Sequence, residues 1–326
     1  MVARAGSESI NPIELLRFRA RVLTAIRQFF TGRGFWEADT PLRVRSPGTE
    51  VHLVPLRVLG GARPGDERFL ITSPELQLKR LLVLGSGPVF QLGHVFRGGE
   101  LGPLHQPEFT LLEWYRPGSD YRGMMADTED LLRFLPLALG LPTTVRWQGR
   151  VVDLARPAAR LTVAEAFQRY TGAPPPDPTT PAGEAAYYRL LVEQIEPQLG
   201  NEIPTFLLDY PPSQASLARI RPGASPVAER TELYVAGVEL CNAFSELTDP
   251  VEQQARVAQE LEARRLLGLS PLPAATEFLE ALAQGMPAAG GNALGVDRLV
   301  MLLAGAAGID EVLPFAEPPA FVPPAP

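Results

Sequence analysis

FQLGHVFRGGELGPLHQPEFTLLEWYR, from Phe90 to Arg116, is the stretch that decides the fold. Apolar residues run through Val89, Phe90 and Leu92, glycine and polar residues follow Arg97, and a second apolar run begins at Phe109. That order predicts strand, loop, strand, a hairpin. Side chains alternate across a strand, so Phe109, Leu111, Glu113 and Tyr115 share one face and Thr110, Leu112 and Trp114 the other. One face therefore carries a stacking ring, a carboxylate and a phenol. Arg97 stands at the start of the loop, and its planar fork suits a phosphate or a carboxylate through paired charge-assisted hydrogen bonds. Taken singly, Arg97 or Glu113 would equally suit a solvated surface hairpin. Two further segments shift that balance.

Near the C-terminus, Gly290-Gly291-Asn292-Ala293-Leu294-Gly295 precedes the apolar run Val296–Leu303. Small residues allow close backbone approach to a ligand, and the helix expected to follow offers Arg298 in its first turn. A glycine-rich segment before a helix is a weak signal alone. The other segment, Glu232 to Glu246 (ELYVAGVELCNAFSE), reads as two strands turning near Gly237. Glu232 and Glu239 would meet across that turn as a pair of oxygen ligands, a partial shell that Mg²⁺ accepts when phosphates and water complete it. Asn242, Phe244 and Glu246 share a strand face. Paired carboxylates on a hairpin are commonly just exposed charges, but Glu239 and Glu246 sit among apolar neighbours.

These segments resemble motifs 2 and 3 and the intervening metal and amino-acid site of class II aminoacyl-tRNA synthetases, most closely the lysyl type. HQPEFTLLEWY is similar to motif 2, NAFSELTDP to the amino-acid pocket and GVDRLVMLLAG to motif 3. Motif 1 is similar to an amphipathic helix from about Leu15 to Arg33 followed by Gly34-Phe35-Trp36-Glu37-Ala38-Asp39-Thr40-Pro41. TSPELQLKRLL, from Thr72 to Leu82, resembles the family's next signature, in which Ser73 and Glu75 would border the substrate. The resemblance implies an α+β fold, an antiparallel sheet flanked by helices. It spans residues 13–315, leaving an N-terminal arm (1–12) and a Pro-rich tail (316–326).

Motif 1 begins within the first dozen or so residues, so the anticodon-binding domain that precedes it in lysyl-tRNA synthetases is expected to be absent. The formal net charge of −7 lacks the basic footprint of a nucleic-acid binder, which makes tRNA binding an unfavoured expectation. A freestanding catalytic domain resembles the ligase branch of the family, which attaches (R)-β-lysine to a lysine side chain of elongation factor P. The phrase LEWYRP, ending at Pro117, resembles that branch. Ala293 stands where lysyl-tRNA synthetases have glycine, as it does in the ligases. Its methyl would disfavour the α-amino group of ordinary lysine, although drift in a small-residue segment would also explain it. One departure is Gly99, where motif 2 usually has glutamate two residues after the arginine; Glu100 follows and would serve instead.

The resemblance implies these roles. Arg97 would neutralise the α-phosphate and the substrate carboxylate. Phe109 would stack on adenine with Arg298 on its other face, His105 would contact a terminal phosphate, and Glu232 and Glu239 would hold Mg²⁺. Glu246, Tyr115 and Glu113 would read the side-chain ammonium of lysine or (R)-β-lysine, and Ser73, Glu75, Glu239 and Asn242 the second amine. ATP is the expected co-substrate and an aminoacyl adenylate the expected intermediate, formed mainly by positioning and charge stabilisation. Two other classes stay open, a lysyl-tRNA synthetase without its anticodon domain and a non-catalytic paralog that binds an amino acid and regulates a partner.

Composition fits a soluble cytoplasmic enzyme. A lone cysteine, Cys241, excludes an internal disulfide and reads as packing. No run of eighteen apolar residues and no leader pattern is present, so neither membrane insertion nor secretion is expected. Lys79 is the only lysine among 30 basic residues, which reads as genome composition. Leu15, Phe18, Val22, Ile26 and Phe29 recur at helical spacing; the resemblance places a homodimer interface there, and plain core packing is the alternative. A short helix is expected from Val163 to Tyr170, and a Pro-rich surface loop from Gly172 to Gly183. Val251, Ala255, Ala258 and Leu261 are expected to form the apolar side of another helix.

Overall fold

The hairpin forms with the expected register. Val89–Phe96 pairs antiparallel with Glu108–Pro117, setting Gln91 opposite Glu113 and Val95 opposite Phe109. This computed structural model describes residues 11–60 and 66–318, so the first ten residues of the N-terminal arm and residues 319–326 of the tail lie outside it. The hairpin extends into one large sheet. Its order is Trp36–Glu37, Val89–Phe96, Glu108–Pro117, Ala289–Gly295, Val238–Ser245, Val227–Val235, Thr205–Tyr210 and Ala159–Thr162, with Ile220–Arg221 beside Val227–Val235. The two outermost pairings are parallel and the rest antiparallel, which is the expected α+β sheet.

Three helices cover one face of the sheet, Pro12–Thr31, Tyr121–Leu139 and Val296–Ala304. The first starts three residues before the expected Leu15. Pro12 presets φ at the first helical position and the Asn11 side chain accepts from the Ile13 N–H, which satisfies one orphan donor. Its residues Leu15, Phe18, Val22, Ile26 and Phe29 are buried against Leu112, Trp114 and Phe90 of the sheet. That apolar face is therefore core within the chain. Arg19 crosses this layer, ion-pairing with Asp297 and donating to Thr110 Oγ1 at 2.7 Å, while Asp297 Oδ2 accepts from the Thr110 N–H at 2.7 Å. All three residues are buried. This network clamps the start of the Val296–Ala304 helix to the hairpin, so the neighbouring Arg298 is presented from a fixed turn.

The other sheet face carries a cavity bordered by the helix Glu75–Val83 and the loop between Pro47 and Val54, with the helix Pro250–Leu266 bonded to that loop. Pro250–Leu266 corrects a sequence expectation, because its buried residues are Gln253, Val257 and Arg264 while Val251 is 76% exposed. Arg264 faces inward because it has backbone to satisfy: its Nη1 donates to the carbonyls of Glu50, Val51 and Leu53. The short helix runs Val163–Thr171 under a Thr162/Glu165 capping box. The Pro-rich loop ends earlier than expected, since Pro181–Leu190 is helical. Glu317, at the start of the expected tail, exchanges hydrogen bonds with the Gln106 side chain at 3.0 and 3.1 Å. Cys241 is buried as expected of a packing residue.

Candidate active site

Strand pairing lays the floor of the cavity. Glu113 lies opposite Ala293, Ala293 opposite Asn242, and Asn242 opposite Glu232, one row across four strands. The next row sets Tyr115 beside Gly291 and Gly291 beside Phe244. A Cβ at Gly291 would overlap both the Tyr115 ring and Glu246, so only glycine lets these side chains meet over that strand. The turn joining the two central strands is Ala236-Gly237, with φ of 55° and 79°, a two-residue hairpin that matches strand twist.

Of the residues expected at the site, all but Glu232, Tyr115 and Glu246 border this one cavity. At one end of it Glu113 is almost fully buried, accepting from the Ser73 hydroxyl and, at 3.0 Å, from the Tyr115 hydroxyl. Tyr115 therefore acts from behind Glu113. Burial, followed by the charge of Glu75, pushes the Glu113 carboxyl up to about 8. Glu246 is also set back, ion-paired to Lys79 at 2.6 Å, and Lys79 reaches Glu75 at 2.5 Å. Burial opposes the Lys79 charge, but Glu246 and Glu75 outweigh it and raise its pKa above the ordinary value. The chain's one lysine thus occupies two carboxylates assigned to substrate amines, a partner that sequence reading missed.

The end that carries Arg97 and Arg298 is cationic. Arg97 Nε donates to the Thr72 carbonyl at 3.3 Å, and its guanidinium lies 5.1 Å from the Phe109 ring centroid. Arg298 donates to the carbonyls of Leu104 and Glu239 at 3.2 and 2.9 Å, contacts Glu239 Oε2 at 3.3 Å, and meets His105 Nε2 at 2.8 Å. Arg298 has only donors, so Nε2 accepts and the imidazole proton sits on Nδ1. Burial, then the charges of Arg298 and Arg97, lower the His105 pKa to about 4, so it is neutral at pH 7. The loop between the hairpin strands closes through paired backbone bonds of Gly102 and His105. Gly99 has φ +78°, a left-handed conformation that a glutamate would adopt only with strain. This accounts for the departure at that position, and Glu100 borders the cavity instead.

Glu232 does not face the cavity freely; Arg230 donates to it at 2.6 Å and the Tyr234 hydroxyl at 2.7 Å. The Glu239 carboxyl is nonetheless raised by burial and then by the Glu232 charge, so the two are electrostatic neighbours. Among the described residues no three His, Cys, Asp or Glu side chains gather as a metal site. The pair fits a divalent cation only if phosphates and water supply the remaining ligands.

These carboxylates define a pH dependence. Glu50, at the cavity edge, is pushed up to about 7 by burial first, and Glu113 to about 8. Both are raised above the ordinary 4.5, so the folded state holds protons that the unfolded state has released as pH climbs between those values. Stability of the free protein is expected to fall by roughly 1–3 kcal/mol from about pH 5.5 to about pH 8.5. Urea midpoints at the two pH values check this.

The class is set by this fold together with the paired arginines and the row of acids. The model of the family "tRNA synthetases class II (D, K and N)" matches residues 10–318, and the chain belongs to that family. Within it, the chain is similar to proteins named "Elongation factor P--(R)-beta-lysine ligase" from Salmonella paratyphi A, Salmonella arizonae and Salmonella heidelberg. Each is 41% identical over 319 residues, covering 91% of this chain and 93% of the relative. ATP use is typical of class II synthetases and ligases.

Proposed function

We propose that this protein is an ATP-dependent ligase that activates (R)-β-lysine, or lysine, as an aminoacyl adenylate and transfers it to a lysine side chain of elongation factor P. The observation that carries the reading is the polarity of the cavity, with Arg97 and Arg298 toward one end and Glu113 and Glu75 toward the other. A zwitterion with two ammonium groups and one carboxylate matches that charge order. The names of the similar ligases support the acceptor.

Arg97 would hold the substrate carboxylate against the α-phosphate, bringing the attacking oxygen and phosphorus together while offsetting their charge. Arg298 would close on the other face of adenine, with neutral His105, its hydrogen-bonded neighbour, free to rotate toward a terminal phosphate. Phe109 supplies the ring on which adenine would stack, the place now taken by the Arg97 guanidinium. Glu239 and Glu232 would hold Mg²⁺, which supplies charge neutralisation on the departing pyrophosphate. Glu113, oriented by Ser73 and Tyr115, would accept from the side-chain ammonium, and Asn242 and Glu75 would face the second amine. Glu246 would act through Lys79, which fixes Glu75.

A cytoplasmic homodimer belongs to the same reading. No helix among the described residues is long and apolar enough to cross a membrane. Since the apolar face of the first helix is internal, a second copy would meet its outer side near the exposed Ile13 and Trp36.

ATP–pyrophosphate exchange with α-lysine and (R)-β-lysine in parallel tests the activation step. Exchange favouring the β isomer is expected, and none with either amine would favour a non-catalytic paralog. Ala293 borders the cavity between Glu113 and Asn242, where an added methyl restricts the space above the floor. Ala293→Gly is expected to shift preference toward α-lysine by about 10-fold, the scale of one methyl in a pocket. The ratio of kcat/KM for the two isomers in exchange reads this directly, and an unchanged ratio removes Ala293 from the selectivity.

A further inference from the structure

Glu50 lies on the cavity wall within electrostatic reach of Glu75 and Arg97, and none of the roles above uses it. Its loop has no regular secondary structure, yet it is fixed from several directions. Arg264 Nη1 donates to the carbonyls of Glu50, Val51 and Leu53 at 2.8, 2.9 and 3.1 Å, and the Thr49 hydroxyl bonds Glu260 at 2.5 Å. The Gly98 N–H donates to the Val54 carbonyl at 2.7 Å, which ties this loop to the one bearing Arg97. Gly48 has φ +113°, and a Cβ there would overlap Glu50 Oε2. The glycine leaves the space in which the carboxylate folds back.

The carboxylate so placed is short of partners. Its own backbone N–H is its hydrogen bond, and no cation among the described residues pairs with it. Glu75 and Glu260 add negative charge nearby, and the opposing charge of Arg97 is a lesser influence. Lys79 does not relieve it, because its ammonium is already taken up by Glu75 and Glu246. A carboxylate in such a setting is costly unless something cationic completes it. The position says which cation: Arg97 marks the carboxylate end of the bound amino acid, so the group beside both Arg97 and Glu75 is the amine close to that carboxylate, whereas the distal ammonium lies toward Glu113.

We propose that Glu50 is a specificity-determining residue that, together with Glu75, binds the second ammonium of the diamino acid, the one nearer its carboxylate. The inference rests on the amino-acid activation described above and adds the residue that separates diamino from monoamino substrates.

The test uses Glu50→Gln, which keeps shape and removes charge, in ATP–pyrophosphate exchange. It measures KM for lysine and (R)-β-lysine, and the inhibition constant of 6-aminohexanoic acid, which has the distal amine and lacks the second. KM for both diamino acids is expected to rise ~10–100-fold, the range for a lost charge-assisted bond, with kcat little changed. The inhibition constant of 6-aminohexanoic acid should stay within about 2-fold, since it has nothing to lose at this position. Gly48→Ala, which displaces the carboxylate without deleting it, should give the same pattern. Parallel weakening of all three compounds would overturn the inference in favour of a structural role. Unchanged KM values with slower transfer to the acceptor would overturn it too, pointing to a role in deprotonating the acceptor amine. A wild-type chain that activates neither diamino acid would refute the proposed function itself, an outcome distinct from either.

Discussion

Arg298→Ala is expected to abolish adenylate formation, lowering pyrophosphate exchange by about 10³-fold or more, while the fold survives. The side chain reaches Leu104, His105 and both the carbonyl and carboxylate of Glu239, so it organises the whole nucleotide end of the cavity. It is also partly exposed, at 20%, and its neighbour Asp297 carries the buried ion pair to Arg19 that anchors the helix. Removing Arg298 therefore costs the site much and the core little, with stability within about 1 kcal/mol of wild type. Its loss would also free His105 from one of the two cations that hold its pKa down, so the imidazole should titrate closer to its ordinary value. Exchange assays, thermal melting and an NMR titration of His105 read the three consequences separately. Unchanged exchange would sink the assignment of this end of the cavity.

Lys79→Met carries the largest expected effect on stability. Lys79 is 1% exposed and bridges Glu75 and Glu246, the second of which is itself buried and has no hydrogen-bond partner for Oε1. Deleting the ammonium leaves two carboxylates facing each other in a low-dielectric interior, and breaking a buried pair from one side typically costs ~3–5 kcal/mol. The penalty should be largest at about pH 8 and partly recovered near pH 5.5, because an unpaired buried carboxylate escapes its cost by taking up a proton. Urea unfolding at the two pH values measures this. A loss under about 1 kcal/mol at the higher pH would show that the bridge is not what holds the amine end of the cavity together.

Local periodicity made part of this site legible. A two-residue alternation placed Phe109, Leu111 and Glu113 on the cavity face and Leu112 and Trp114 in the core, because a strand with one buried face shows its register in its own residues. What alternation could not show is which strands lie side by side. The row through Glu113, Ala293, Asn242 and Glu232 comes from pairings between segments far apart in the chain. The family resemblance, rather than any local pattern, brought those residues together.

The misreadings have a common physical cause, buried polar groups that serve other polar groups. The Pro250–Leu266 helix was expected to turn Val251 and Ala255 inward, yet it buries Gln253 and Arg264, because Arg264 satisfies the carbonyls that hold the Glu50 loop. Lys79 was read as a trace of composition, although its spacing of four from Glu75 on one helix already offered an ion pair. Its second partner, Glu246, comes from another part of the chain and left no local sign. Glu50 left a faint one, an acid set in the otherwise apolar run around Val51, Leu53 and Val54.

Transfer to a protein lysine is read from the intact mass of purified elongation factor P after incubation with this protein, ATP and (R)-β-lysine. A gain equal to one lysyl residue is expected, located on a single lysine side chain and dependent on ATP. Unmodified elongation factor P in a mixture that still supports pyrophosphate exchange would refute transfer to this acceptor, and would leave tRNA or another acceptor as the destination of the adenylate.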